Sequence, residues 1–335
     1  EIYYLGPGLF LESSLEREEM NFHCMILITG KWRRYFSFKN FIDLFKIATG
    51  LAQALWKVWL IMPDVIFSKG GYGSFAPVLT GWLLRVPIFL HESDVSPGLT
   101  NRFCSKFALE IFVSFQKTEY FPLKKLFVVG NPIRRELLEG SVKRAQQIFK
   151  LTNEKPVILI LGGSQGSQKI SDIIMEILPE FLNSVEILHQ CGEKNYQEAE
   201  SDAEVILNAD LKKYYHLYPF LHEDELKHAL ASADLVISRA GSGSIFEIAA
   251  VGKPSILIPL FKAAQNHQTK NAYSYSEEGA CLVIEEENLT PQFFLENIRY
   301  LLSRHDELEK MSKAALEFAI PNAAKIIAEY LISYL

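Results

Sequence analysis

Cysteine is scarce in this sequence, and long uninterrupted hydrophobic runs are missing from it. Its four cysteines are widely spaced and form no Cys-x-x-Cys pair. This spacing excludes a disulfide scaffold and a zinc ribbon, and it is typical of a protein of the reducing cytosol. The nearest apolar run, residues 51–62, is interrupted by Lys57. It is therefore expected to fall short of the roughly 18–20 residues that span a bilayer.

An excess of positive charge is also absent. Lys and Arg number 34 against 40 Asp and Glu, which gives a net charge of −6 and disfavours wholesale coating of nucleic acid. Apolar residues make up 49% of the chain and charged residues 22%, so a disordered chain and a coiled rod are both excluded. The length of 335 residues, at about 150 residues per domain, predicts two domains.

Short apolar runs alternate with helical patterns along most of the chain. Predicted strands occupy residues 1–5, 65–67, 88–91, 111–113, 126–129, 157–161, 187–190, 235–237, 256–259 and 280–284. Predicted helices occupy residues 76–84, 169–181, 223–232, 244–250 and 291–304. Several of the strands are apolar on both faces, as in a parallel sheet covered by helices. The alternation therefore predicts doubly wound α/β sheets.

An internal repeat indicates two similarly built domains. The segment DVIFSKGGYGS at 64–74 matches DLVISRAGSGS at 234–244 without a gap, at an offset of 170. Each copy runs through a helical stretch to a basic residue, a proline and another strand. Units of strand, glycine loop and helix share composition, which would give part of this match by chance. Two domains of similar plan explain it better.

Two glycine-rich turns each follow a predicted strand and precede a helix, LILGGSQG at 159–166 and SRAGSGS at 238–244. Glycine lets the backbone approach an anion, and a helix N-terminus offers unpaired N–H groups and the positive end of the helix dipole. Neither turn has the spacing of the dinucleotide fingerprint or of the P-loop, so NAD and ATP are not indicated. Both are candidate phosphate sites, or else tight turns without a ligand.

Carboxylate and amide side chains lie close to the second turn. Glu247, one helical turn inside the helix, is well placed to accept hydrogen bonds from the two hydroxyls of a ribose. The alternative is an acid that only stabilises the helix N-terminus. The segment AAQNHQ at 263–268 follows a strand ending at Pro259. Its amides suit recognition of sugar hydroxyls, although an ordinary polar loop would have the same composition.

A candidate acid–base group ends the strand at 88–91, where His91, Glu92 and Asp94 follow one another closely. The alternative is a capped turn leading into Pro97. Neither His91 nor His267 has a second ligand at metal spacing, so the sequence predicts no zinc site.

Residues 31–46 concentrate basic and aromatic side chains. Five Lys and Arg minus one Asp give a local charge of +4, and apolar residues recur at helical spacing. Such a segment either lies on an anionic membrane or packs as an ordinary core-facing helix. Aromatic residues beside two arginines favour the membrane. The predicted contacts are Trp32, Arg33, Arg34, Phe38, Phe41 and Phe45.

Taken together, these motifs resemble the MurG family, the bacterial transferases that add N-acetylglucosamine to the lipid-linked muramyl-pentapeptide of peptidoglycan synthesis. The resemblance rests on FSKGGY at 67–72, HESD at 91–94, GNPIR at 130–134, LGGSQG at 161–166, SRAG at 238–241 with Glu247, and NHQ at 266–268 with Asn271. These motifs occur in the family's order over almost the whole chain.

The resemblance implies a GT-B glycosyltransferase fold, in which two Rossmann-like domains face each other across a cleft. An acceptor-binding and membrane-associating domain would occupy residues 1–134. A UDP-sugar-binding domain would occupy residues 135–320, and a helix at 321–335 would return to the first domain.

The implied reaction is the inverting transfer of N-acetylglucosamine from UDP-N-acetylglucosamine to the 4-hydroxyl of undecaprenyl-pyrophosphoryl-N-acetylmuramyl-pentapeptide, which converts lipid I to lipid II. It would need no metal and no cofactor. The implied location is the cytoplasmic face of the bacterial cell membrane, with roles in cell wall biogenesis, cell shape and cell division. The alternatives are a UDP-N-acetylglucosamine 2-epimerase, another GT-B transferase, and a catalytically inactive UDP-sugar-binding subunit associated with the membrane.

Site roles follow from the resemblance residue by residue. The implied donor site comprises Arg134, Ser164, Gln165, Leu221, Ser242, Gly243, Ser244, Glu247 and Gln268. The three residues 242–244 would offer backbone N–H groups to the diphosphate, Glu247 would hold the ribose, Gln268 would read the sugar, and Leu221 would meet the uracil. The implied acceptor side comprises Tyr72 and Asp94, with Glu92 and His91 as the candidate catalytic bases.

The chain departs from the family pattern at its start. Family members begin with a strand and a G-G-T-G-G-H loop that would touch the donor diphosphate, whereas this sequence opens at what looks like the second strand. Because it also lacks an initiator Met, we expect it to begin inside a longer protein, with no signal peptide at this start. Asp94 stands where many relatives have Asn.

Overall fold

The computed structural model describes residues 1–7, 22–30, 38–163, 166–261 and 266–335, with the backbone only for residues 38–42. The chain forms two compact units. The first comprises Glu1–Val129 together with Lys325–Leu335, and the second comprises Gly130–Ala324. The two ends of the chain therefore belong to the same unit.

The described part of the first unit contains two parallel sheets. One pairs β1 (Ile2–Gly6) with β2 (Phe22–Ile26). The other has the order β3-β4-β5-β6 and is formed by β3 (Ile66–Ser68), β4 (Ile88–Glu92), β5 (Glu110–Val113) and β6 (Leu126–Val128). Its helices are α1 (Phe38–Ile61), α2 (Phe75–Leu83) and α3 (Leu99–Cys104).

The second unit is built on one parallel sheet with the order β12-β11-β10-β7-β8-β9. Its strands are β7 (Val157–Leu161), β8 (Glu186–Gln190), β9 (Tyr215–Tyr218), β10 (Leu235–Ser238), β11 (Ser255–Leu257) and β12 (Cys281–Val283). The strand order reverses at β7, which lies between β8 and β10. Ligands of open α/β sheets bind at the carboxyl ends of strands beside such a reversal.

Helices cover both faces of this sheet. They are α4 (Val142–Phe149), α5 (Gln168–Phe181), α6 (Tyr196–Ile206), α7 (Ala209–Lys212), α8 (Glu223–Ser232), α9 (Ser242–Ala250), α10 (His267–Ser276), α11 (Pro291–Leu302) and α12 (His305–Phe318). Strand β7 shows why two layers are needed. Ile158 and Ile160 belong to one hydrophobic cluster, and Leu159 belongs to the cluster on the opposite face. An all-apolar strand is stable only when both of its faces are covered.

The last helix, α13 (Ala323–Ile332), contributes to the core of the first unit. Ile327 is buried with Phe89 and Phe112 of the four-stranded sheet. Tyr330 meets Phe112 edge-on, with the ring centroids 5.3 Å apart. One face of that sheet is therefore covered by residues from the far end of the chain.

The predicted α/β class and all ten predicted strands are confirmed, within about two residues at each end. Within the described ranges, two strands were not predicted, β2 and β9. Strand β9 was missed because its residues are only half-buried at the sheet edge and include a polar one, His216. The Nε2 of His216 lies 2.8 Å from Glu186 Oε1 of the neighbouring strand, β8. A half-buried edge strand carries little hydrophobic pattern.

Helix α1 corrects the expectation about spanning length. Among the described residues, Asp43–Ile61 forms a helix of 19 residues with a mean hydropathy of 1.2, enough to cross a membrane by length and composition. Core helices of soluble proteins pass the same test of length and composition, but they are mostly buried. In this helix only 17% of the tested window is buried. Lys57, which interrupts the run in sequence, turns its ammonium back to Ile26 O at 3.1 Å.

Both copies of the internal repeat fold as strand, glycine turn and helix, which confirms their common plan. The first copy includes β3 and α2, and the second includes β10 and α9. The turns differ in detail. Gly70 has a φ of +86°, and a Cβ there would lie 2.6 Å from the Asn101 side chain, so glycine is required. Gly241 of the second copy, which aligns with Gly71 of the first, has an ordinary extended backbone.

Candidate functional site

The first glycine-rich turn lies at the carboxyl end of β7, beside the reversal in strand order. Gly166 has a φ of +74°, and a Cβ there would collide with Cys191 O, so this position requires glycine. A Cβ at Gly163 would meet nothing within 4 Å, which leaves that side of the turn open. Helix α5 begins directly afterwards, where Ser167 Oγ accepts from Ile170 N at 3.4 Å. Ser164 and Gln165 lie outside the described residues.

The second turn places the N-terminus of α9 at the end of the neighbouring strand, β10. Ser242, Gly243 and Ser244 are the first three residues of this helix, and its N-cap, Gly241, supplies no side-chain cap. A Cβ on Gly241 or Gly243 would meet nothing within 4 Å. The first turn of α9 therefore borders open space, where uncapped N–H groups and the helix dipole favour an anion.

Glu247 lies one turn further along α9 and is engaged by Arg134. Arg134 Nε donates to Glu247 Oε1 at 2.9 Å, and Nη2 donates to Oε2 at 3.0 Å. The hydrogen bond to Glu247 is the main reason that the pKa of Arg134 is raised. A carboxylate oxygen has two lone pairs, so each oxygen of Glu247 retains one acceptor position. The pair leaves Glu247 able to accept two further hydroxyl groups.

Gln268 is held by the loop that follows β11. Its Oε1 accepts from Leu260 N at 2.9 Å. This contact takes up the carbonyl of the side chain and leaves the amide nitrogen as the group that could donate to a ligand. Residues 262–265, which precede α10, lie outside the described part of the chain.

Leu221 enters the site differently from its neighbours. Its side chain is 1% exposed and packs in the hydrophobic core. Its backbone N–H donates to Gln190 Oε1 at 3.1 Å. Gln190 Nε2 in turn donates to Gly163 O at 3.4 Å. The side chain of Leu221 is thus enclosed in the core. Gln190, which was not a sequence candidate, ties the backbone of Leu221 to the glycine turn.

In the first unit, the predicted acid–base residues meet at the end of β4. His91 is completely buried, with Nε2 at 3.5 Å from Ser114 Oγ. Glu92 is also buried and accepts from Asn101 Nδ2 at 2.9 Å and from Asp94 N at 3.1 Å. Burial raises the pKa of Glu92, and these two hydrogen bonds oppose the rise.

The remaining first-unit candidates are less enclosed. Asp94 is half-buried, and Tyr72 is exposed in a short 3-10 helix, Tyr72–Ser74, after β3. Among the described residues, no group of three or more His, Cys, Asp and Glu side chains could hold a metal ion.

The predicted membrane contacts are only partly visible. Trp32, Arg33 and Arg34 lie outside the described residues, and the side chains of Phe38 and Phe41 are not described. Phe45 is 62% exposed.

Exposed aromatic residues continue along α1 well beyond the predicted segment. Trp56 is 63% exposed and Trp59 is 55% exposed, and their ring centroids lie 5.6 Å apart. Ala54 and Val58 are buried on the other side of the helix. Helix α1 therefore has one packed face and one exposed apolar face.

Comparison with known proteins defines the class. The model of the glycosyltransferase family 28 C-terminal domain matches residues 157–327, and that of the family's N-terminal domain matches residues 1–113. A crystal structure of MurG from Acinetobacter baumannii superposes with a TM-score of 0.73 at 25% identity, covering 93% of this chain and 86% of that one. A UDP-GlcNAc 2-epimerase from Neisseria meningitidis has a TM-score of 0.62 at 16% identity, covering 93% and 92%, which shows the fold alone. The chain is thus a two-unit α/β glycosyltransferase, and the predicted GT-B class is confirmed.

Sequence relatives are more specific. The UDP-N-acetylglucosamine--N-acetylmuramyl-(pentapeptide) pyrophosphoryl-undecaprenol N-acetylglucosamine transferase 2 of Bacillus thuringiensis subsp. konkukian is 38% identical over 313 residues, covering 92% of this chain and 85% of the relative. The transferase of Clostridium kluyveri is 35% identical over 334 residues, covering 98% and 91%. The chain belongs to glycosyltransferase family 28 and, within it, to the MurG family.

Proposed function

We propose that this protein transfers N-acetylglucosamine from UDP-N-acetylglucosamine to the lipid-linked muramyl-pentapeptide, the reaction for which its relatives are named. The observation that carries the proposal is the open, uncapped N-terminus of α9 with Glu247 one turn inside the same helix. Phosphate and ribose are adjacent in a nucleotide, so one helix would bind both. The sugar would extend toward Gln268, and the uracil toward the backbone of Leu221.

The transfer is a single displacement. The muramyl 4-hydroxyl attacks the anomeric carbon, a base accepts its proton, and the bond to the UDP oxygen breaks with both electrons leaving on UDP. Attack opposite the leaving group inverts the configuration at that carbon. The charge that develops on UDP is met by the N-terminus of α9, the glycine turn before α5, and Arg134, so this proposal requires no metal and no cofactor.

Glu92 is the better of the two candidate bases. His91 is completely enclosed on the central strand β4, whereas Glu92 lies at the end of that strand, where the chain turns. A carboxyl whose pKa is raised by burial is a stronger base than an exposed one, as general-base catalysis requires. Asn101 and the backbone of Asp94 would hold it in a fixed orientation.

The exposed face of α1 would hold the protein on the membrane as a peripheral protein. Trp56, Trp59 and Phe45 share the helix with a packed face, so α1 fits a helix that lies in the interface rather than one that crosses it. Basic residues 31–39 of the same region would add attraction to anionic lipid. The acceptor is itself anchored in that membrane by its polyprenyl chain.

Incubation with radiolabelled UDP-N-acetylglucosamine and the lipid acceptor tests the proposal. Label should appear in the lipid fraction, and Glu247→Ala should abolish most of the incorporation. Glu204→Ala, which removes an exposed carboxylate of the same unit, is the matched control. Conversion of the donor to its 2-epimer without lipid labelling would contradict the proposal, as would donor binding with no transfer.

A further inference from the structure

Arg239 directly follows β10, and its guanidinium turns into the protein. Only 13% of its side chain is exposed. Nη2 donates to Ser167 Oγ at 2.6 Å and to Glu286 Oε1 at 2.8 Å, and Nη1 donates to Ile258 O at 3.1 Å. Three charge-assisted hydrogen bonds from one planar group fix its position and those of its partners.

Arg239 and its three partners come from the ends of four adjacent strands. Ser167 closes the glycine turn after β7, Ile258 follows β11, and Glu286 follows β12. Glu286 Oε2 also accepts from Phe261 N at 3.3 Å, and Glu286 O accepts from Lys169 Nζ. One guanidinium therefore bridges the carboxyl edge of the sheet from β7 to β12.

The ion pair favours the charged form of Glu286. Burial alone would raise the pKa of Glu286, but the hydrogen bond and the charge of Arg239 outweigh it and lower this pKa. Breaking the pair would leave a charge in a largely desolvated position, which costs more than the pair itself contributes. The bridge is thus a rigid part of the strand ends.

We infer that Arg239 is a positioning residue for the UDP-sugar site, which holds the glycine turn and the loop after β11 in their binding geometry without touching the ligand. The inference rests on the proposed function. Its basis is that one held segment contains proposed donor-site residues and the other contacts one. The turn precedes the N-terminus of α5, and the loop supplies Leu260, whose N–H fixes Gln268. Loops fixed before binding lose less entropy when the ligand arrives.

Calorimetry with UDP and with uridine tests the inference on the full chain. Arg239→Met keeps the apolar stem and removes the donors. It should weaken UDP binding by about tenfold or more, because the turn that meets the phosphates is no longer held. Uridine, which has no phosphate, should change less than about twofold. Glu286→Ala should reproduce this pattern, and Arg239→Lys should restore part of the loss.

The matched control is Arg299→Met, which removes an exposed ion pair to Glu180 in the same unit and should leave both affinities unchanged. Hydrogen exchange of the ligand-free protein gives a second measurement. Exchange should rise in residues 166–171 and 258–261 of Arg239→Met and of Glu286→Ala, with little change elsewhere in the unit.

Two results would overturn the inference. If Glu286→Ala leaves UDP affinity unchanged while Arg239→Met loses it, Arg239 contacts the phosphates directly. If the exchange of the two segments is unchanged in Arg239→Met, Arg239 does not hold them. Failure of the wild-type chain to bind UDP would instead contradict the proposed function, while the exchange measurement, which needs no ligand, would still decide whether Arg239 fixes the two segments.

Discussion

Arg134 and Glu247 form a two-point ion pair between residues 113 positions apart, with donor–acceptor distances of 2.9 and 3.0 Å. A bidentate arginine fixes both the position and the plane of a carboxylate. The pair therefore orients Glu247 on α9 before any nucleotide arrives. It also gives Arg134 a partner besides the charge of the leaving UDP.

Removal of Glu247 should weaken nucleotide binding. We expect Glu247→Ala to reduce UDP affinity by about tenfold or more, since two hydroxyl hydrogen bonds to a charged acceptor are lost. Arg134→Met should also weaken UDP binding, and the double variant should lose less than the sum of the two single losses because the two residues act as a pair. Calorimetry of the three variants measures this coupling. Additive losses would show that the ion pair does not couple the two residues in nucleotide binding.

Gln268 should discriminate between sugars through its amide nitrogen. Because the carbonyl of Gln268 already accepts from Leu260 N, Gln268→Glu keeps this contact and replaces the donor by a charged acceptor. We expect Gln268→Glu to lose preference for the N-acetylglucosamine donor over other UDP-hexoses to the same degree as Gln268→Ala. Competition binding with several UDP-sugars measures the preference. A preference retained in Gln268→Glu would place sugar recognition elsewhere.

Membrane binding should depend on charge and on apolar contact separately. Replacing Arg33, Arg34 and Lys39 by Gln should remove about 1 kcal/mol per charge, and this part should disappear at high salt. Trp56→Gln with Trp59→Gln should instead weaken vesicle binding at every salt concentration.

Flotation with vesicles of phosphatidylglycerol and phosphatidylethanolamine separates the two effects. Tyr300→Gln, an exposed aromatic of the second unit, is the control. Vesicle binding by the tryptophan variant equal to that of the wild type would show that this face does not meet lipid.

Acid should destabilise the second unit through His189. Burial lowers the pKa of His189 from 6.5 to about 4 in the folded protein. Between these values the unfolded chain binds a proton that the folded chain does not, so the stability that is present above pH 6.5 is lost as the pH falls toward 4. The loss amounts to about 3 kcal/mol.

The pH profile of urea unfolding for His189→Leu checks this assignment. It should be flatter than that of the wild type between pH 6.5 and 4, whatever the variant does to stability at pH 7. His305→Gln, at an exposed position, should leave the slope unchanged. A slope in His189→Leu equal to that of the wild type would assign the acid sensitivity to other groups.

Local sequence pattern was enough to predict the glycine turns and the buried strands. Strand β7 is apolar throughout, and glycine-rich segments between a strand and a helix form few structures other than turns. Local pattern was not enough for the contacts that join the strand ends. Gln190 ends a buried strand and Arg239 sits inside a recognised motif, yet neither shows its partners in sequence. Those partners come from segments 19 to 72 positions away.

The amphipathic pattern at 38–46 predicted one helix face but not its surroundings. Asp43 is buried and Phe45 is exposed, so the face of α1 that packs against protein includes Asp43 and not Phe45. Periodicity identifies an apolar face of a helix, but it does not say whether that face packs against protein or against a membrane. Only packing against α2 and the sheet decides that.

The participation of α13 in the first unit has a consequence for the order in which the protein can fold during synthesis. Residues 130–324 are contiguous and can be completed as one unit before residues 325–335 are made. The face of the four-stranded sheet around Phe89 and Phe112 has to wait for Ile327 and Tyr330, which are synthesised only after all of residues 130–324. The unit that is made first is therefore the one that is finished last.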